Sequence, residues 1–125
     1  MNRVVKTTIN GTEYSLNYSM RALREIMDRF GTSTAFFEQI EESNNLIWTL
    51  HLLLEQGAEY QKIMYGKESK IYTVDELEVI LTPVEMGRIE EDIIRALQVG
   101  TQREKEVAEK NAETAQETEP VSAGS

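Results

Sequence analysis

The one histidine of this 125-residue chain, His51, stands four residues before Glu55, a spacing that turns both side chains to one side of a helix. Two such ligands could begin a metal site. A zinc or iron centre needs a third ligand at defined geometry, and the chain has neither a cysteine nor a second histidine. His51 therefore reads as an ordinary boundary side chain. A Ser-His-Asp triad is arithmetically possible but has no G-x-S-x-G elbow to hold it. Carboxylates adjoin at Glu41-Glu42 and Glu90-Glu91-Asp92, yet among 22 acidic residues such runs are expected on solvated helix faces. Nothing marks one of them as the raised-pKa acid that general-acid chemistry requires. Gly11, Gly31, Gly57, Gly66, Gly87 and Gly100 are isolated, each readable as a turn, a cap or a helix interruption, and form no phosphate cradle. The sequence thus points away from an enzyme and calls for no cofactor.

What remains is surface for protein partners. Trp48 and Leu52 fall opposite the main apolar face of their helix, and aromatic anchors in a small apolar patch often carry binding energy. They are the candidate partner-binding residues. The competing expectation is that the Phe36-Phe37 segment or the hairpin covers them, because small domains sandwich their most apolar helix. Met20, Met27, Met64 and Met86 could make an adaptable surface, although core filling is the commoner use.

Charge narrows the partners. The formal net charge is −9, with 10 basic and 16 acidic side chains in residues 1–99 and 3 and 6 in residues 100–125. A surface so acidic is repelled by a phosphate backbone, which argues against nucleic acid. The longest uncharged stretch, Ser43 to Leu54, is 12 residues long and includes His51. A membrane span needs about 20 apolar residues, so none is expected. The first residues carry no apolar h-region, so no secretory signal is expected and a soluble, intracellular protein is. The absence of cysteine excludes a disulfide framework.

These side chains must be positioned by a short series of elements. Asn10-Gly11 supplies the two positive φ angles of a type I′ turn, which would pair Ile9 with Thr12, Thr7 with Tyr14 and Val5 with Leu16. Alternation then sets Val5, Ile9, Tyr14, Leu16 and Tyr18 on one face. Ser19 can cap the next helix, with Met20, Leu23, Ile26, Met27 and Phe30 as its stripe and Gly31 as its stop. A short helical piece follows Thr32-Ser33-Thr34, anchored by Phe36, Phe37 and Ile40. Ser43-Asn44-Asn45 breaks it and offers N-caps. The helix from Leu46 to about Gln56 is apolar on two sides, with Leu46, Ile47, Leu50, Leu53 and Leu54 on the broad one, so it should be central or partly covered. Gly57 is expected to interrupt or bend it before Glu59 to Tyr65 resumes.

Lys67 to Tyr72 reads as a polar connector. Thr73-Val74-Asp75-Glu76 and Thr82-Pro83-Val84-Glu85 both fit the capping box, the second with proline at the first helical position. The last helix is two-faced, with Met86, Ile89, Ile93, Ala96 and Leu97 inward and Arg88, Glu91, Asp92 and Arg95 outward. Residues 100–125 contain no aromatic, leucine or isoleucine and two valines, too little to offset the entropy of ordering. The expectation is an α+β, mostly α domain over residues 1–99: an N-terminal β-hairpin, then a small bundle of four to five helices. Residues 100–125 form a polar acidic tail, partly helical and disordered over its last nine residues.

The order of these features resembles the tail assembly chaperones of long-tailed (siphovirus-type) bacteriophages. The likeness runs through "TTINGTEYSLNYSMRALREIMDRFG", "NNLIWTLHLLLEQG", "TVDELEVIL" and the two-faced last helix with its acidic tail, over residues 4–99. It is closest where an aromatic strand end leads into Arg21-Ala22-Leu23 and the pair Phe30-Gly31. The resemblance implies a non-enzymatic protein that binds the long, helical tape measure protein, keeps it soluble and helps recruit tail tube subunits. It further implies action in the host bacterial cytoplasm, absence from the mature virion and, in many members, a longer frameshifted product. Self-association is compatible with it. The family transfers no motif residue by position, so Trp48 and Leu52 rest on the helical wheel alone. The alternatives are a small acidic regulatory or inhibitory protein that blocks a basic partner, and a structural head-tail component.

Overall fold

A computed structural model describes the backbone of residues 4–118 and the side chains of residues 4–101. The chain is α+β and mostly α: a two-stranded antiparallel hairpin followed by five helices. Strands β1 (Val5–Ile9) and β2 (Thr12–Leu16) pair in the register that the turn dictates, Val5 with Leu16, Thr7 with Tyr14 and Ile9 with Thr12. Asn10 and Gly11 take φ of 51° and 78°, as a type I′ turn requires. Val5, Thr7 and Ile9 turn inward while Lys6 and Thr8 face out.

Helix α1 (Met20–Phe30) starts at Ser19, whose hydroxyl accepts from the Ala22 N–H. Its buried residues are Ala22 and Ile26, with Leu23 and Phe30 partly covered. Met20 and Met27, expected on the inner stripe, are exposed. The inward face instead centres on the row of Ala22 and Ile26, one helical turn apart, with the smaller Ala22 in the core. Helix α2 (Ser33–Gln39) is capped by Thr32 and buries Phe36, with Ile40 just beyond it; Phe37 stays exposed.

Helix α3 (Ser43–Tyr65) is the centre of the fold, packed by β2, α1, α4 and α5. Leu46, Ile47, Leu50, Leu52, Leu53 and Leu54 in its first half are buried, as a doubly covered helix requires, while Ile63, Met64 and Tyr65 at its end are exposed. The helix does not break at Gly57, contrary to expectation. At Gly57 the main chain of Ser15 in β2 comes so close that no Cβ fits, so the missing side chain serves packing rather than bending. Its first turn is not capped by the Ser43-Asn44-Asn45 cluster either. Glu42 occupies the N-cap, and Asn45 instead donates to the Gln39 carbonyl at 2.9 Å.

The connector leads to α4 (Val74–Ile80), held by the full Thr73/Glu76 capping box, and α5 (Pro83–Thr118) begins with the same reciprocal bonds between Thr82 and Glu85. Ile89, Ile93, Ala96 and Leu97 are the buried stripe of α5. Asp92, expected outward, turns towards the hairpin. Its carboxylate accepts from the buried Thr7 hydroxyl at 2.8 Å and from the Arg95 guanidinium, while Arg88 donates to the Thr8 carbonyl at 3.1 Å. Helix α5 runs unbroken through Gly87 and Gly100. The disorder expected for the last nine residues lies outside the described residues, save that Glu117 and Thr118 end α5. No helix among the described residues is long and apolar enough to cross a membrane.

Candidate functional site

The candidate pair Trp48 and Leu52 sits one helical turn apart on α3 and is buried to different extents. Leu52 is 3 % exposed and belongs to the core. Trp48 is half-buried, meeting Phe30 of α1 edge-on with ring centroids 5.8 Å apart, and the Arg29 guanidinium lies 4.6 Å over the indole. Phe30 in turn packs on Phe36 at 5.2 Å. These two residues therefore form no open apolar patch. The aromatic run from Phe36 through Phe30 closes that flank of α3, and Leu52 has no surface to offer a partner. The helical wheel showed a second apolar face on α3 but not which neighbour would cover it.

His51 keeps its expected place, with Nδ1 3.6 Å from Glu55 Oε1 and both side chains partly in water. Among the described residues no three of the His, Asp and Glu side chains converge as metal ligands. Near the hairpin, burial and the hydrogen bond and charge of Tyr72 hold the Tyr14 phenol above its ordinary pKa of 10.0. Polar side chains in this region tie elements together. Ser15 Oγ accepts from Lys6 Nζ at 2.9 Å and from Gln61 Nε2 at 3.1 Å, and Ser19 Oγ donates to Gln56 Oε1 at 2.6 Å.

Three of the surface concavities among the described residues bear on the site. One, of about 630 Å³, lies between α1, α3 and the connector and balances Arg21 and Arg24 against Glu25, Glu55 and Glu59. A second, of about 390 Å³, lies between the hairpin, α3 and the connector, with Lys6, Lys67 and Lys70 facing Glu13. The third is apolar at its base. This groove, of about 400 Å³, runs between the start of α3, the end of α4 and the first two turns of α5. Leu46 and Ile47 line it from α3, Leu77 and Leu81 from the end of α4, and Met86 from α5. Its charged lining is Glu41, Glu78 and Glu90, with no basic residue.

The groove follows from local sequence. Leu81, extended at ψ 134°, ends α4, and the Thr82/Glu85 capping bonds start α5 directly after it, so the chain turns a corner between the two helices. Leu77 is fully buried against α3, so that corner stands over the first turn of α3 and leaves Leu81 and Met86 half-covered. The sequence pattern set Met86 on the inward face of its helix and did not reveal the groove. The available signal was the pair of consecutive helix starts, which leaves apolar residues on both sides of a corner that one neighbour cannot fully cover. Comparison of the chain with family models, with curated proteins and with solved structures gives no match.

Proposed function

We propose that this chain is a non-enzymatic tail assembly chaperone of the kind made by long-tailed bacteriophages. In this reading it binds the tape measure protein, keeps it soluble and helps recruit tail tube subunits, acting in the host cytoplasm without entering the finished particle. The observation that carries the reading is the open apolar groove between α3, α4 and α5, set in a chain of net charge −9. Holding a long helical client calls for an apolar groove that can take one face of a helix. A strongly acidic holder keeps the pair in solution while the client's apolar stripes are covered.

The test is co-expression with the long helical protein encoded beside this one. The client should move from the pellet to the soluble fraction in a complex with this chain. An unchanged client, or an abundant band of this chain in purified particles, would count against the proposal and towards a structural component.

A further inference from the structure

Three glycines lie within the helices of this fold, and two of them are required by close packing. A Cβ at Gly57 would stand 1.8 Å from the Ser15 carbonyl oxygen, and one at Gly100 would stand 2.7 Å from Cδ2 of Tyr18. Gly87 is different. Its φ is not positive, and a Cβ there would meet nothing within 4 Å. A glycine inside a helix costs stability relative to alanine, so a position where alanine fits without contact asks for a reason outside the chain. Gly87 lies on the groove. With Pro83, Met86 and Glu90 it makes the i, i+3, i+4, i+7 face of α5 that forms one wall.

We infer that this groove takes an amphipathic α-helical segment of a partner protein whose apolar stripe is flanked by Lys or Arg, with the partner's backbone passing closely over Gly87. This rests on the client-holding reading above and adds the place and the chemistry of the contact. Leu46, Ile47, Leu81 and Met86 receive the apolar anchors. Glu41, Glu78 and Glu90, with no basic residue among them in the lining, meet the cationic flanks. The same charge disfavours the chain itself as occupant. Two copies each carry −9, and residues 100–125 contain six acidic and three basic side chains.

The probe is a fluorescein-labelled peptide of about 18 residues, long enough for five helical turns, built from Leu, Ala and Lys. Its counterpart carries Glu at every Lys position. Fluorescence anisotropy with the full chain should show the Lys peptide binding and the Glu peptide weaker by roughly tenfold or more. Gly87→Leu changes no charge, fills the groove and should weaken the Lys peptide by roughly tenfold while leaving the melting temperature unchanged or higher. Gly87→Ala should shift both in the same directions by less, and keeps the test open if the leucine variant does not fold. The double variant Glu78→Lys, Glu90→Lys should prefer the Glu peptide.

Equal binding of the Lys peptide by wild type and both Gly87 variants would mean mere adhesion to an acidic surface and overturns the inference, as does no binding at all. A dimer of this chain that Gly87→Leu abolishes would assign the groove to a second copy and also overturns it. The two readings fail separately. A client kept soluble equally well by Gly87→Leu sinks the groove and leaves the chaperone. A peptide that binds through Gly87 beside a client that is never solubilised sinks the chaperone and leaves the groove.

Discussion

Gly57 of α3 lies against the main chain of Ser15 in β2, so closely that a Cβ at position 57 would fall 1.8 Å from the Ser15 carbonyl oxygen and 2.5 Å from its carbonyl carbon. The obstacle is backbone, which cannot rotate away as a side chain tip can. Around this contact the Asn17 N–H donates to the Leu53 carbonyl at 3.2 Å, so the hairpin is docked on α3 by main chain at two neighbouring points.

Gly57→Ala should therefore destabilise the fold even though alanine is the better helix former. Helix propensity returns at most about 1 kcal/mol, whereas forcing a methyl into a closed contact costs about 1–3 kcal/mol or more. Thermal melting should fall by several degrees. An unchanged or higher melting temperature would mean that α3 and β2 are not in contact there.

Leu52→Ala should cost about 2–5 kcal/mol in urea unfolding, the range for emptying a closed core site. Arg29→Ala should cost only about 0.5–1 kcal/mol, the worth of an exposed cation over an aromatic ring, and should change the fluorescence of Trp48, the single tryptophan. A neutral Leu52→Ala would return Leu52 to the surface.

The link between Thr7 and Asp92 joins β1 to α5 across 85 residues of sequence. A hydrogen bond to a charged acceptor contributes about 1.5–3 kcal/mol, so Thr7→Val and Asp92→Ala should each destabilise by an amount of that order. Their combination should cost clearly less than the sum, because each removes the same bond. Strict additivity in the double-mutant cycle would show that the two do not interact.

Stability should fall in alkali partly through Tyr14. Burial, followed by the hydrogen bond and charge of Tyr72, raises its folded pKa above 10.0. The folded state thus favours the neutral phenol, an advantage fully present below about pH 10 and lost as pH rises through the folded value. Melting of the wild type should decline more steeply above about pH 10 than melting of Tyr14→Phe. Parallel profiles would remove Tyr14 from the account.

Truncation after Thr101 should lower the melting temperature by less than about 5 °C, on the order of 1 kcal/mol for a domain of this size. The removed residues contain no aromatic, leucine or isoleucine with which to dock. A larger fall would show that this part of the chain packs on the rest.

The sequence by itself determined what depends on neighbours along the chain. Asn10-Gly11 set the turn and with it the strand register, Ser19, Thr32, Thr73 and Thr82 set four helix starts, and the two-sided apolarity of α3 set its central place. Each of these is a contact over a few residues or a periodicity, so one stretch carries the whole signal. Tertiary structure decided what depends on which element arrives from far away. It packed Phe30 on Trp48, buried Leu52, turned Asp92 from solvent to Thr7, and made Gly57 a contact instead of a break. It also left Leu81 and Met86 half-covered beside Gly87 at the α4–α5 corner. The physical reason is that a helical wheel shows which faces are apolar, while the orientation of packed neighbours decides which of those faces stays open to a partner.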